Sequence, residues 1–418
     1  MAAMQNKDVA QESPSQPRPK TAMAVMRTKG GAGCALAVLA ILIGTGLFVS
    51  YKFKLLWWKE KPPPASGKEM QVHVLDVGEG DSILIISPTG MSVLIDAGEA
   101  SRARTVIDAL NRYNVQKLDY FIATHPHTDH IGGAAEVIKA KGAGTVIESG
   151  APWSENEASL EASNAPVNQK GKAIVKVRQK PINEDKLPNK KADTDFHNAV
   201  EQSGAKLLTA EPGQNYDLGG GARLTVLAPI KPLFTQDKMR DGGNEPNANS
   251  VVVRLDYGDF SMLLPGDAEA QTETRIMAQA GDEIGVKILK VAHHGSKYAT
   301  SADFLTRVKP EVAIISVGAA NLYGQPSKKV FDNLKAAGVT QLYRTDLQGE
   351  ITITTTGKLK DNKLYVMTPE KEAKSDVWAI PDAPKQPQRD DSSRSGFIAY
   401  PASPPPKLPK PSPGPKKK

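Results

Sequence analysis

The sequence predicts an α/β protein in which two sheets pack together with helices on the outside. Three observations predict it. Short apolar strands recur from residue 70 to residue 355, helical stretches are interspersed among them, and the pattern falls into two similar halves. A site at the strand ends, between the sheets, is the natural cleft.

The elements follow in order. From Met70, Val72, Val74 and Asp76 alternate with His73 and Leu75, a period of two that marks a strand. Residues 82–86 and 93–96 predict two more strands, with Pro88-Thr89-Gly90 as the turn between them. Ser101 is placed to cap a helix running to Tyr113. Residues 118–124, LDYFIAT, predict a buried strand that ends in a loop rich in His and Asp, and a helix follows Gly132-Gly133. Residues 151–200 are polar without a clear period and are expected to be an insertion, partly loop. Strands are expected near Lys206, then at 224–228, 250–256 and 260–264. A helix over 269–280, a strand over 286–292, a helix over 301–308 and a strand over 312–317 come next. Pro326 fits the first turn of a helix reaching Ala337, and strands near Leu342 and at 351–355 close a domain spanning 70–367.

The flanks differ in composition. The 31 prolines concentrate near the ends, which predicts a disordered basic leader over 1–30 and a disordered Pro/Lys-rich tail over 368–418. Of the net +7, residues 1–61 carry +6 and residues 401–418 carry +5, leaving −4 between them. The globular part is therefore mildly acidic, and the positive total is no argument for a basic nucleic-acid groove. One cysteine, Cys34, excludes intrachain disulfides and makes a thiolate metal site implausible.

Residues 31–49, GAGCALAVLAILIGTGLFV, are uncharged and long enough to cross a bilayer, with Trp57 and Trp58 where an interfacial belt would lie. A cleaved signal peptide has a shorter apolar core and a small-residue cleavage site, so an uncleaved single-pass anchor over 31–50 is expected, followed by a linker over 51–69. Four positive residues lie on each side, so charge does not orient it. A short leader before a large domain fits an extracytoplasmic domain.

Three of the seven histidines fall within six residues, in Thr124-His125-Pro126-His127-Thr128-Asp129-His130, and two more form His293-His294-Gly295-Ser296. Each group follows an apolar strand. His125 and His127 can aim at one ion, and Asp129 and His130 at a second. Asp267 can bridge both, and His293 or His294 can complete the shell. Imidazole with carboxylate suits two divalent ions such as zinc or manganese. Such a pair activates water and stabilises a phosphoryl displacement, so Asp129 and Asp267 are the expected catalytic carboxylates. For Asp267 the alternative is a helix N-cap, and for Lys297 a surface charge.

Those motifs resemble the metallo-β-lactamase superfamily. The set LDVGEGDS (75–82), LIDAGE (94–99), HPHTDHIGG (125–133), NANSVVVRLDYG (247–258), LLPGDAE (263–269), KVAHHGS (290–296), NLYGQP (321–326) and YRTDLQGEI (343–351) is similar to the soluble domain of ComEC-type competence proteins over residues 70–356. The resemblance implies an αββα sandwich, a dinuclear metal site and nuclease activity on incoming DNA. It implies metal ligands at His125, His127, Asp129, His130, Asp267 and one of His293 and His294. Asp96 and Asp81 would support them, and Asn249 and Ser250 would stand where related hydrolases carry a histidine. Ser296 and Lys297 are expected near a substrate phosphate.

Four departures stand out. The many-helix channel of full competence proteins is absent, so a separate channel protein is the expected partner. Asn247, Asn249 and Ser250 occupy the place of the third-motif histidine, Gln325 that of another, and Glu79 that of a glutamine. The leading expectation is a membrane-anchored phosphodiesterase acting on nucleic acid. The alternatives are a hydrolase of another phosphoester, such as a phospholipid headgroup, and a decayed metal-binding module.

Overall fold

The computed structural model describes residues 65–151, 188–235, 239, 244–280, 284–319, 321 and 323–381. The leader, the 31–50 anchor and most of the linker lie outside them, as do residues 152–187 and 382–418. Among the described residues no helix is long and apolar enough to cross a membrane.

The first half runs β1 (Met70–Val74), β2 (Ile83–Ile86), β3 (Ser92–Ile95), α1 (Ala103–Arg112), β4 (Leu118–Ala123), α2 (Thr128–Ile131), α3 (Ala134–Lys141), β5 (Ala143–Glu148), α4 (Pro188–Ser203) and β6 (Lys206–Thr209). The second begins with β7 (Asn215–Gly219), β8 (Ala222–Ala228), α5 (Glu245–Ala248), β9 (Val252–Tyr257), β10 (Phe260–Leu264) and α6 (Ala270–Ala280). It continues through β11 (Ile288–Lys290), α7 (Ala302–Val308), β12 (Val312–Ile315), α8 (Lys328–Ala336), β13 (Gln341–Arg344) and α9 (Thr345–Gln348), and ends with β14 (Ile351–Lys360) and β15 (Lys363–Pro369).

One sheet has the order β15-β14-β1-β2-β3-β4-β5-β6 and the other β13-β12-β11-β10-β9-β8-β7. The halves repeat a scheme: an antiparallel meander ends in a strand, β3 or β10, that starts a parallel run of three more. Strand alternation sorts the apolar residues into layers. Ile83 and Ile85 of β2, with Met262 and Leu264 of β10, lie in the core between the sheets. Leu84 points the other way, onto Val106 and Leu110 of α1 and Val137 of α3. Leu263 and Ile315 likewise meet Phe304 of α7 and Phe331 of α8. Two mixed sheets with helices on both outer faces are thus present.

Several boundaries differ from the expectation. Ser101 is not the helix cap: its hydroxyl donates to Glu99 Oε2 (3.2 Å), and α1 starts only at Ala103. The stretch expected as an insertion ends in α4, where Ala192, Phe196, Ala199 and Val200 make a buried helical stripe and Phe196 meets Phe121 at 6.0 Å. Strands β5 and β7 were not expected. Pro326 lies before α8, whose N-cap is Ser327. The tail expectation fails for residues 368–381. Strand β15 pairs along β14 to Pro369, and Trp378 packs on Phe331 with ring centroids 5.9 Å apart. Arg344 Nη1 donates to the carbonyls of Val377 (3.2 Å) and Ala379 (2.8 Å), which holds this segment down.

Candidate metal centre

The histidine and carboxylate loops all leave the C-terminal ends of strands. Thr124 to His130 follow β4, Asp96 follows β3, Asp267 follows β10, and His293-His294 follow β11. Cross-loop hydrogen bonds draw them together: Val251 N donates to Thr124 O (2.9 Å) and His293 N to Gly266 O (3.1 Å). Gly80 lets the first loop come close. A Cβ there would lie 1.9 Å from Asp129 O, the carbonyl to which Asp81 N donates.

Four donor atoms converge. One ligand atom from each of Asp129, His130, Asp267 and His294 lies within 4.8 Å of the others. His294 Nε2 is 3.4 Å from both Asp129 Oδ2 and Asp267 Oδ2, and His130 Nε2 is 3.3 Å from Asp267 Oδ1. The two imidazole nitrogens face each other at 3.3 Å. Their outer nitrogens explain this orientation. His130 Nδ1 donates to the Asp96 carboxylate (2.7 Å) and His294 Nδ1 to Ser316 O (2.9 Å). Carboxylate and carbonyl oxygens can only accept, so each Nε2 is left to point inward, the arrangement that metal-binding histidines adopt.

A second group adjoins it across Asp267. His125 Nε2 lies 3.9 Å and His293 Nε2 3.8 Å from Asp267 Oδ2, and His127 Nδ1 lies 3.0 Å from His125 Nε2. The sequence leaves open which of the paired histidines is a ligand, and the backbone sends the two rings to different groups. Both have positive φ, 50° at His293 and 52° at His294, so their rings diverge with planes 83° apart. His294 enters the first group, while His293 turns toward the second and toward Asn247 Nδ2 (3.3 Å).

The electrostatics divide along the same line. Burial opposes a charge on His130, but Asp267, Asp129 and Asp96 outweigh it and hold the ring well above its ordinary pKa. His294 is raised in the same way, by Asp267 and Asp129 against burial. In the second group burial wins. It drives His125 well down, lowers His127 and takes His293 to about 4. Burial also opposes the charge of Asp267, yet His294, His130 and His293 bring its carboxyl well below the usual range.

The donor set fits divalent cations. Asp267 Oδ1 is buried and accepts no hydrogen bond, as are Asn247 Oδ1 and Asp81 Oδ1. Inward-facing imidazole nitrogens around the Asp267 and Asp129 carboxylates are a donor set that a divalent cation could occupy in place of the imidazole protons.

Other expected residues fall in several places. Asp96 is buried under the site and also accepts from Thr124 N (2.8 Å) and Thr124 Oγ1 (2.7 Å). Asp81 is buried and pairs with Lys290 Nζ. Ser250 Oγ lies 3.3 Å from His125 Nδ1 and accepts from Asp267 N (3.3 Å), so it braces both loops. Asn249 is spent elsewhere, its amide held by the backbone of Phe234 and Glu245, and its neighbour Asn247 faces the histidines instead. Ser296 Oγ accepts from Tyr298 N, a bond within its own turn, and Lys297 is an exposed charge 5.1 Å from the Tyr298 ring. Gln325 is buried against Asn321, which also donates to Glu79 (2.6 and 2.7 Å), so two departures from the family pattern share one hydrogen-bond chain.

Sequence reasoning missed Lys290, which is fully buried, and Asn189 of α4, whose Oδ1 accepts from Thr128 N (2.9 Å) at the start of α2. A lysine ending an apolar strand was the one available signal for the first.

The profile of the Metallo-beta-lactamase superfamily matches residues 75–185. Competence protein ComA of Neisseria gonorrhoeae is 26% identical over 320 residues, 76% of this chain and 36% of that protein. ComE operon protein 3 of Bacillus subtilis is 29% identical over 307 residues, covering 69% and 33%. Recombination protein 2 of Haemophilus influenzae is 28% identical over 287 residues, covering 68% and 28%. The chain spans about a third of the length of these relatives. The resemblance read from the motifs, to a metallo-β-lactamase domain and to ComEC-type proteins, is thereby found.

Proposed function

We propose that this chain is a metal-dependent phosphodiesterase that cleaves nucleic acid, with DNA as its substrate. The observation that carries the reading is the convergence of Asp129, His130, Asp267 and His294 within 4.8 Å, with His125 and His293 on the other side of the Asp267 carboxylate. Asp129, His130 and His294 would hold one ion, His125, His127 and His293 the other, and Asp267 would lie between them. Two such ions supply a nucleophile from water near neutral pH and stabilise the charge of a phosphoryl displacement. The chain's own part is orientation. Asp96 and Ser316 O hold the Nδ1 protons of His130 and His294, and Ser250 fixes His125 relative to Asp267.

Nucleic acid as substrate is supported by relatives whose names refer to competence and recombination. The proposal extends to a single-pass anchor at 31–50, an extracytoplasmic domain and a separate channel protein, supported by the uncharged apolar run alone. The full chain, purified and loaded with manganese or zinc, is expected to cleave labelled single-stranded DNA. Absence of bound metal would contradict the metal centre. Metal with turnover of a glycerol or choline phosphodiester but not of DNA would contradict the substrate.

A further inference from the structure

Among the described residues six large apolar or aromatic side chains are exposed: Leu207, Tyr298, Tyr323, Leu359, Val366 and Ile380. The four aliphatic ones lie on β6, on the β14–β15 hairpin and near residue 380. The two tyrosines sit on loops that border the His293-His294 turn. Tyr298 is four residues beyond His294 and 39% exposed, and Tyr323, in the loop before α8, is 60% exposed.

These two loops are packed together. Ser327 N donates to Gly295 O (2.9 Å), and a Cβ on Gly295 would lie 2.7 Å from Pro326 Cβ, so no side chain separates them. Lys329 Nζ donates to Lys297 O (3.2 Å), which brings a second exposed cation beside Lys297. Lys297 Nζ lies 5.1 Å from the Tyr298 ring centroid, within cation–π range. The same loop is tied to the first-half motif through Asn321 and Glu79. The two loops beside the His293-His294 turn therefore carry exposed tyrosines at 298 and 323 and exposed lysines at 297 and 329, in a domain that is otherwise mildly acidic.

We propose that Tyr298 and Tyr323 are a stacking platform for the bases of single-stranded nucleic acid, with Lys297 and Lys329 meeting its phosphates. This rests on the phosphodiesterase reading for its catalytic consequence and on the rim alone for binding. Stacking on an aromatic ring tolerates any base, because every base presents a π-face, and a duplex offers no free base faces. Recognition would then favour unpaired strands over duplex with little sequence preference. A lipid surface fits less well, since no exposed aliphatic side chain described here joins the two rings.

The test uses the full chain and a short fluorescent oligothymidylate. Replacing one tyrosine by leucine is expected to raise Kd about tenfold and the pair about a hundredfold, whereas Tyr→Phe variants stay within about twofold. Turnover of bis(p-nitrophenyl) phosphate, which has no run of bases to span two rings, is expected to change far less than the oligonucleotide Kd in all of them. An unaltered oligonucleotide Kd in Y298L/Y323L, no binding by the unsubstituted chain, or a loss confined to phosphatidylglycerol vesicles would overturn the platform. If the unsubstituted chain turns over no bis(p-nitrophenyl) phosphate yet the oligonucleotide results hold, the platform stands and the phosphodiesterase reading falls.

Discussion

Among the described residues, two buried clusters of histidine and carboxylate are built from the same residue types and differ in where their hydrogen-bonding atoms point. In one, Glu350 receives Tyr113 Oη and Arg112 Nη1 (2.9 Å), with His73 Nδ1 at 3.1 Å. His73 Nε2 reaches Gln71 Oε1 (3.2 Å), and its ring stacks on Tyr113 with centroids 3.7 Å apart. Both ring nitrogens of His73 and the Tyr113 hydroxyl thus have partners. In the metal centre the outer nitrogens of His130 and His294 are each held by an oxygen acceptor, while the inner ones face each other and the Asp129 and Asp267 carboxylates, one oxygen of which accepts no hydrogen bond. The first is a closed latch between β1, α1 and β14. The second presents imidazole nitrogens and carboxylate oxygens to one another in an arrangement that could hold cations. Residue type alone does not separate a structural histidine from a ligand, but the direction of its hydrogen bonds does.

The comparison can be broken by substitution. Asp129→Ala is expected to lower metal-dependent turnover on the order of 10³-fold while leaving the melting temperature of the metal-free chain little changed. An unchanged rate would remove Asp129 from the centre. Glu350→Ala should do the reverse, costing about 2 kcal/mol of stability in urea unfolding by leaving the buried His73 and the Tyr113 hydroxyl without their acceptor, with metal content intact. Asp96→Asn sits between the two. It keeps the shape but weakens the hold on His130 Nδ1, so metal affinity should fall about 10- to 100-fold, read by competition with a chelating dye.

Proton competition sharpens the contrast within the centre. His130 and His294 are raised, so protons rival an ion at the Asp129 group, whereas the lowered His125, His127 and His293 are already neutral at pH 7. Metal titrated into the chain at falling pH should leave the Asp129 group first, with proton release on binding measurable by calorimetry in buffers of different ionisation enthalpy. The smallest effect lies outside both clusters. His197 pairs with Glu148 (2.9 Å) and Asp193 (3.4 Å), and these carry its pKa to about 10. A raised folded-state pKa stabilises below the unfolded value of about 6.5 and is lost as pH rises through about 10. The melting temperature of the unsubstituted chain should therefore approach that of His197→Gln over that interval.

Much of the candidate centre was legible because most of its residues are local. His125, His127, Asp129 and His130 fall in six residues, and Asp267 ends a clear strand. What escaped depends on distance or backbone. That His293 and His294 face different groups depends on the positive-φ turn, and Lys290 meets Asp81 from 209 residues away. Asn247 and Asn249 share a motif, yet only the short α5 turn decides which one faces the histidines. In the fold, β2, β4 and β10 are apolar enough to read directly. Strand β7, with Asn215, Asp217 and Gly219, is held by pairing to β8 rather than by its own composition. The buried stripe of α4 was there to be read at helical spacing but was diluted by the polar residues around it.

If Asp267 stands between two cation sites, the full chain binds a pair of ions. Metal content measured by inductively coupled plasma mass spectrometry, after equilibration with zinc or manganese at neutral pH, reads this out. About two ions per chain are expected, falling to one or none in Asp267→Asn and unaffected by Glu350→Ala. A chain that retains no ion, or an Asp267→Asn variant that retains both, would contradict it.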